Sequence, residues 1–208
     1  MKLVTKSVER GFFAVTSPIS DWLLRAHVRP NTLTTIGALL VVVSAVAFAF
    51  GHIRLGGALL LASGVVDTFD GQVARQGGMV SKFGAFYDST LDRVGDGATF
   101  IGIAVYLLRA PDVNWRIESV TLCMIAVLSS LLVSYARARA EGLGIECKVG
   151  LVQRAERLLV ITVPTILIGA GQHAVVLQAI VAFLAVMSTV TVVQRFVYVH
   201  RVTRGERT

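Results

Sequence analysis

From Thr32 to Phe50 the chain carries no charged and no amide side chain. An apolar run of about 20 residues is what an α-helix needs to cross a hydrocarbon core of roughly 30 Å. The pattern recurs. Further apolar stretches start at Leu55 and run from Phe83 to Leu108, Ser119 to Ala138, Arg154 to Gly169 and Val175 to about His200. In lipid each backbone N–H and C=O must be satisfied within its own segment, so such runs fold as helices. With 54% hydrophobic and 16% charged residues over 208 positions, and a mean hydropathy of +0.70, the composition lies outside the range of soluble domains. These features predict an all-α integral membrane protein of six transmembrane helices, each roughly 20 residues long. The membrane domain is expected over 30–201, behind an amphipathic juxtamembrane segment at 1–29 and ahead of a basic tail at 202–208.

Residues 1–29 mix Lys2, Lys6, Arg10, Arg25 and Arg29 with Phe12, Phe13, Ile19, Trp22, Leu23 and Leu24. Interrupted by Ser17-Pro18, this pattern predicts one or two short amphipathic helices lying in the headgroup layer. No long apolar stretch with a small-residue cleavage site precedes the first span, which is expected to act as the insertion signal itself. With the N-terminus in the cytoplasm, all 20 Lys and Arg fall on that side except Arg54, Arg109 and Arg116, with Arg93 inside a helix. That positive-inside bias predicts cytoplasmic N- and C-termini in a multi-pass protein of the inner (plasma) membrane. The same basic loops, facing anionic headgroups, explain the net charge of +7, and no nucleic-acid partner is expected. Cys123 and Cys147 fall at different depths and lack metal-ligand neighbours, so neither a disulfide nor a zinc site is expected. His27, His52, His173 and His200 are scattered without metal spacing.

Against this apolar background, the stretch from Val66 to Arg93 holds Asp67, Asp70, Asp88 and Asp92. An ionised carboxylate in or beside a bilayer is costly and marks a functional site, with a cation as its natural partner. Spacings of three and four residues put each pair on one helix face. Gln76 to Ser81, with Gly77-Gly78, makes a short turn, so the two helices are antiparallel neighbours and the pairs converge. Hard oxygen ligands select Mg²⁺, Mn²⁺ or Ca²⁺ over zinc, and a cluster of this size has room for two ions that clamp phosphate or diphosphate oxygens. Gly71 and Gly84 flank the pairs and leave room for close approach, while Arg75 can neutralise a phosphate. Surface pairing of the aspartates with Arg75, Arg93 or Lys82 is the plainer alternative. The positive-inside orientation puts all four aspartates at the cytoplasmic ends of their helices. Asp96, one turn further on, is expected to pair with Arg93.

The array Asp67-x2-Asp70-Gly71-x2-Ala74-Arg75-x8-Gly84-x3-Asp88-x3-Asp92 resembles the signature of the CDP-alcohol phosphotransferases. The resemblance implies transfer of a phosphatidyl group from CDP-diacylglycerol to an alcohol, with release of CMP. It implies Mg²⁺ or Mn²⁺, two ions, held by Asp67, Asp70, Asp88 and Asp92, with Asp92 also the catalytic base. By the same resemblance Asp67, Asp70, Gly71, Ala74, Arg75, Gly84 and Asp88 bind the CDP moiety, and a homodimer is expected. Pro30-Asn31-Thr32-Leu33-Thr34 is similar to a family segment whose polar groups, Thr34 among them, approach the nucleotide. Helix capping by Asn31 or Thr32 is the competing reading.

A second cluster lies downstream: Ser134 to Glu141 with Arg137 and Arg139, then Arg154-Ala155-Glu156-Arg157, then Gln194-Arg195. Guanidinium forks suit phosphate oxygens, so a phosphorylated alcohol is favoured over a neutral one. The arrangement is similar to that of bacterial phosphatidylinositol-phosphate synthases, which implies inositol phosphate as acceptor and Arg137, Arg154 and Arg195 as ligands of its phosphate. The chain departs from that pattern where Arg137 replaces an expected lysine and Ala155 an expected proline. Glycerol 3-phosphate, the acceptor of phosphatidylglycerol-phosphate synthases, therefore remains a competitor. Simple positive-inside anchoring is the alternative for any one of these arginines. The non-enzyme alternative is an ion-coupled transporter, which calls for midplane carboxylates and broken helices in related halves.

Overall fold

The computed structural model describes residues 16–151 and 154–205, and among them every regular element is a helix. A helix over 16–25 (α1) is followed by α2 (Pro30–Ala49), α3 (Ile53–Gln76), α4 (Lys82–Arg109), α5 (Arg116–Glu141), α6 (Arg154–Leu167) and α7 (Val175–Gly205). A 3₁₀ turn, Gln172–Ala174, leads into α7. Among the described residues, 3 helices are long and apolar enough to cross a membrane: Pro30–Ala49, Arg116–Glu141 and Gln172–Gly205, the last including that turn. Helices α3 and α4 carry the motif aspartates and several arginines, and α6 has only 14 residues, about 21 Å at 1.5 Å per residue.

The segment at 1–29 is described only from residue 16, so its basic positions Lys2, Lys6 and Arg10 lie outside the described residues. Ser17 and Pro18, expected to break the chain, sit inside α1. This helix turns a polar face to the protein. The Ser20 hydroxyl donates to Gln72 Oε1 at 2.7 Å, and Gln72 Nε2 donates to Thr16 Oγ1 at 2.9 Å. Ile19 and Trp22 are 45% and 65% exposed on the other side.

The termini of the long helices follow local rules. Pro30 starts α2, where its fixed φ and missing N–H suit the first turn. The N-cap position is Arg29, without a side-chain hydrogen bond, so Asn31 and Thr32 do not cap the helix. Ser81 does cap α4, its hydroxyl accepting from the Gly84 N–H at 3.0 Å. Helix α3 ends in a Schellman turn in which Met79 N donates to Ala74 O at 2.9 Å and Gly78 takes φ +62°, the left-handed region that favours glycine. Helix α7 continues past the expected boundary near Arg201 through Gly205, because nothing in Val202-Thr203-Arg204 breaks it; 206–208 lie outside the described residues.

The helices close a ring. Helix α2 packs on α3 and α4, α4 on α5, α5 on α7, α7 on α6, and α6 on α3. Phe48, Ile103, Leu107, Leu177, Val181 and Leu184 fill the centre, fully buried. At the α2–α4 crossing a Cβ on Gly102 would stand 2.3 Å from Ala45 O, so only glycine allows that approach. Antiparallel connections bring the C-terminal ends of α3, α5 and α7 and the N-terminal ends of α2, α4 and α6 to one side of the ring. Every site residue singled out from the sequence lies there.

Candidate active site

Helices α3 and α4 deliver their aspartates to one point. One carboxylate oxygen from each of Asp67, Asp70 and Asp88 lies within 4.8 Å of the others. Asp70 is buried and takes a 2.7 Å hydrogen bond from the Thr34 hydroxyl, which also lies 3.2 Å from Pro30 O. Asp88 Oδ1 is buried with no hydrogen-bond donor among the described residues. Three clustered carboxylates, with a buried anionic oxygen left unpaired, suit a hard divalent cation, which takes oxygen ligands.

Asp92 stands outside that group. Its Oδ1 accepts from Arg154 at 2.7 Å, and its Oδ2 lies 3.4 Å from Arg93. Arg154 reaches Asp67 as well, NH1 to Oδ2 at 2.6 Å, so one guanidinium from the first turn of α6 ties α3 to α4. Asp96 does not pair with Arg93. Its Oδ2 accepts from Arg157 NH2 at 3.0 Å, while Arg93 NH1 donates to Ser89 O at 2.8 Å. The i,i+3 expectation fails because Asp96 faces into the ring, where α6 supplies a closer partner.

Two cavities flank the carboxylates. One, of about 290 Å³, is lined by Asn31, Thr34, Asp70, Gly71, Ala74, Arg75, Gly84 and Asp88 among others. Thus Thr34 and every residue expected to bind CDP except Asp67 fall along one wall. Around Gly71 and Gly84 the nearest groups are polar side chains, Arg75 NH1 at 3.2 Å and Ser81 Oγ at 3.0 Å from where a Cβ would sit. The other cavity, of about 430 Å³, brings Arg137, Arg154 and Arg195 together with Arg93, Arg157 and Lys148.

Arg195 is only 9% exposed. Its Nε donates to Val149 O at 3.0 Å and its NH1 to Val133 O, both carbonyls. Arg137 instead bonds Glu141 Oε1 at 2.8 Å on the exposed end of α5. Lys148 was not expected here from sequence, and Arg157, part of the expected arginine cluster, was not assigned to the acceptor phosphate. For Arg157 a signal existed: it follows Arg154 by three residues and so shares its helix face.

This arrangement couples a carboxylate cluster suited to metal and diphosphate with a cationic cavity suited to phosphate. The model of the CDP-alcohol phosphatidyltransferase family matches residues 27–193. The chain belongs to that family. A CDP-alcohol phosphatidyltransferase is a transferase acting in phospholipid synthesis, which removes the transporter alternative. The chain is 38% identical over 200 residues to a phosphatidylinositol phosphate synthase of Cutibacterium acnes, covering 92% of this chain and 95% of that protein. It is 38% identical over 182 residues to an archaetidylinositol phosphate synthase of Methanothermobacter thermautotrophicus, covering 88% and 87%. Its fold is similar to the crystal structure of Mycobacterium tuberculosis phosphatidylinositol phosphate synthase with CDP-DAG bound. That match has a TM-score of 0.79 at 30% identity, over 89% of this chain and 94% of the other. A second structure of the mycobacterial enzyme, in complex with manganese and citrate, also matches with a TM-score of 0.79 at 30% identity, over 88% of each chain.

Proposed function

We propose that this CDP-alcohol phosphatidyltransferase moves the phosphatidyl group of CDP-diacylglycerol onto inositol phosphate, giving phosphatidylinositol phosphate and CMP. The observation that carries this reading is the cationic cavity joined to the carboxylate cluster through Arg154. Arg195 is buried against carbonyls without an ion-pair partner among the described residues, and a buried unpaired charge calls for a counter-ion. A phosphomonoester supplies one; free inositol or serine does not supply a dianion. Two relatives at 38% identity, named as synthases of phosphatidylinositol phosphate and archaetidylinositol phosphate, support the same choice.

In this reading Asp67, Asp70, Asp88 and Asp92 hold two Mg²⁺ or Mn²⁺ ions. Such ions, when bound, neutralise the diphosphate and the charge developing on departing CMP. Thr34 fixes Asp70 through Oδ2. Gly71, Ala74, Arg75 and Gly84 form the wall for the CDP moiety. Arg137, Arg154 and Arg195 hold the acceptor phosphate, which brings the acceptor hydroxyl to the Asp92 side of the cluster. The Asp92 carboxylate takes the hydroxyl proton as that oxygen bonds to the phosphorus bearing diacylglycerol, and the bond from this phosphorus to the CMP oxygen breaks.

All six helices after residue 30 span the inner membrane, α1 lies in the headgroup layer, and the site opens to the cytoplasm, which the distribution of Lys and Arg supports. The working form is a homodimer, as expected from the family. The test supplies inositol phosphate, glycerol 3-phosphate, inositol and serine one at a time, with CDP-diacylglycerol and Mn²⁺, and identifies each lipid made. Phosphatidylinositol phosphate as the dominant product supports the proposal; exclusive use of glycerol 3-phosphate or of a neutral alcohol removes it.

A further inference from the structure

Arg157 is as deeply buried as any charged side chain near the site, at 7% exposure, and only part of its guanidinium is accounted for. NH2 donates to Asp96 Oδ2 at 3.0 Å, whereas Nε and NH1 are buried without an acceptor among the described residues. Charged donors left unsatisfied in a buried site are costly, so the site is complete only when an acceptor meets them. The same residue lines the 430 Å³ cavity beside Arg154 and Arg195. Asp96 takes one nitrogen of the guanidinium and restrains its plane, which leaves Nε and NH1 as two separate donors for a ligand. Each of these two donors can give a charge-assisted hydrogen bond of the kind that phosphate oxygens accept.

We propose that Arg157 is a further ligand of the acceptor's phosphate, forming the inner floor of the cationic cavity, with Asp96 as its positioning residue. The ligand class is a phosphomonoester dianion. This inference rests on the phosphorylated-acceptor reading above. The competing occupant is water, because a small chamber of about 30 Å³ lined by Ser63, Asp96, Thr99 and Arg157 has room for one molecule.

The experiment uses the full-length protein in detergent with Mn²⁺. Arg157→Lys keeps the charge and removes the planar set of donors. It is expected to raise the KM for inositol phosphate by roughly tenfold or more, the scale of a lost charged hydrogen bond. The inhibition constant of inorganic phosphate rises in parallel, while the KM for CDP-diacylglycerol stays within about twofold, since the donor wall is untouched. Asp96→Asn, which retains Arg157 but loosens it, shifts the acceptor KM in the same direction by less. An unchanged acceptor KM and phosphate inhibition constant in Arg157→Lys overturns the inference.

A structure of the unsubstituted protein with inorganic phosphate gives an answer that needs no variant to fold. A phosphate oxygen within hydrogen-bond reach of Arg157 Nε or NH1 supports the assignment, and water alone at both overturns it. Failure of the broader reading looks different: the unsubstituted enzyme then makes lipid from neutral alcohols and none from phosphorylated ones.

Discussion

The Thr34 hydroxyl on α2 donates to Asp70 Oδ2 on α3 at 2.7 Å, joining the first long helix to the carboxylate cluster. A carboxylate restrained at one oxygen presents the other in a fixed direction. Thr34→Val keeps the shape and removes the donor. A lost hydrogen bond to a charged group is worth about 1.5–3 kcal/mol, so kcat/KM for CDP-diacylglycerol should fall by roughly tenfold or more. Thr34→Ser should retain most of it. Steady-state kinetics at saturating acceptor check both variants.

Asp92→Asn preserves size and one acceptor oxygen but removes the charge and proton acceptance. General-base removal typically costs on the order of 10²- to 10⁴-fold in rate. Turnover is expected to drop into that range while CDP-diacylglycerol still binds, which filter binding or thermal shift with the donor reads. Rates equal to those of the unsubstituted enzyme would remove Asp92 as the base.

Arg154 bridges Asp67 and Asp92 and so competes with any metal ion for Asp67 Oδ2. Arg154→Gln should therefore bind Mn²⁺ more tightly when substrates are absent, as titrated by electron paramagnetic resonance of free Mn²⁺. The same variant should lose acceptor affinity. These opposite signs separate its two contacts, because general misfolding weakens both.

Gly102 sits where the backbone of α2 presses on α4, with a would-be Cβ 2.3 Å from Ala45 O. Gly102→Ala must push the helices apart, and overpacking of this kind costs about 1–3 kcal/mol. The expected result is a lower unfolding temperature in detergent. The carboxylate cluster is remote from the crossing, so the KM for either substrate should change little in the protein that remains folded.

Much of the site is legible in the sequence because helical spacing alone aligns it. Asp67 with Asp70, and Asp88 with Asp92, lie on defined faces, and the glycine turn between their helices leaves one way to fold them together. What depends on a third element is not legible. Nothing local assigns Asp96 to Arg157 rather than Arg93, since that choice is made by α6 packing on α3. The Thr34–Asp70 bond and the double grip of Arg154 are likewise tertiary. Helix ends are read less well than helices: Asn31 and Thr32 have capping chemistry, yet Pro30 begins the helix ahead of them. Helix α6 is anticipated closely, Arg154 to Gly169 against the observed Arg154–Leu167, although its 14 residues combine a charged first turn, an internal Pro164 and an apolar remainder.

The double engagement of Arg154 also bears on how enzymes built on this plan can diversify. A side chain gripped by two carboxylates of the reaction centre has little freedom to drift without disturbing that centre. Arg137, bonded to the neighbouring Glu141 on an exposed helix end, carries no such constraint. Lineages that change their acceptor alcohol should accumulate substitutions around Arg137 and along the Lys148–Gly150 loop, and leave the start of α6 as the invariant hinge between old donor and new acceptor.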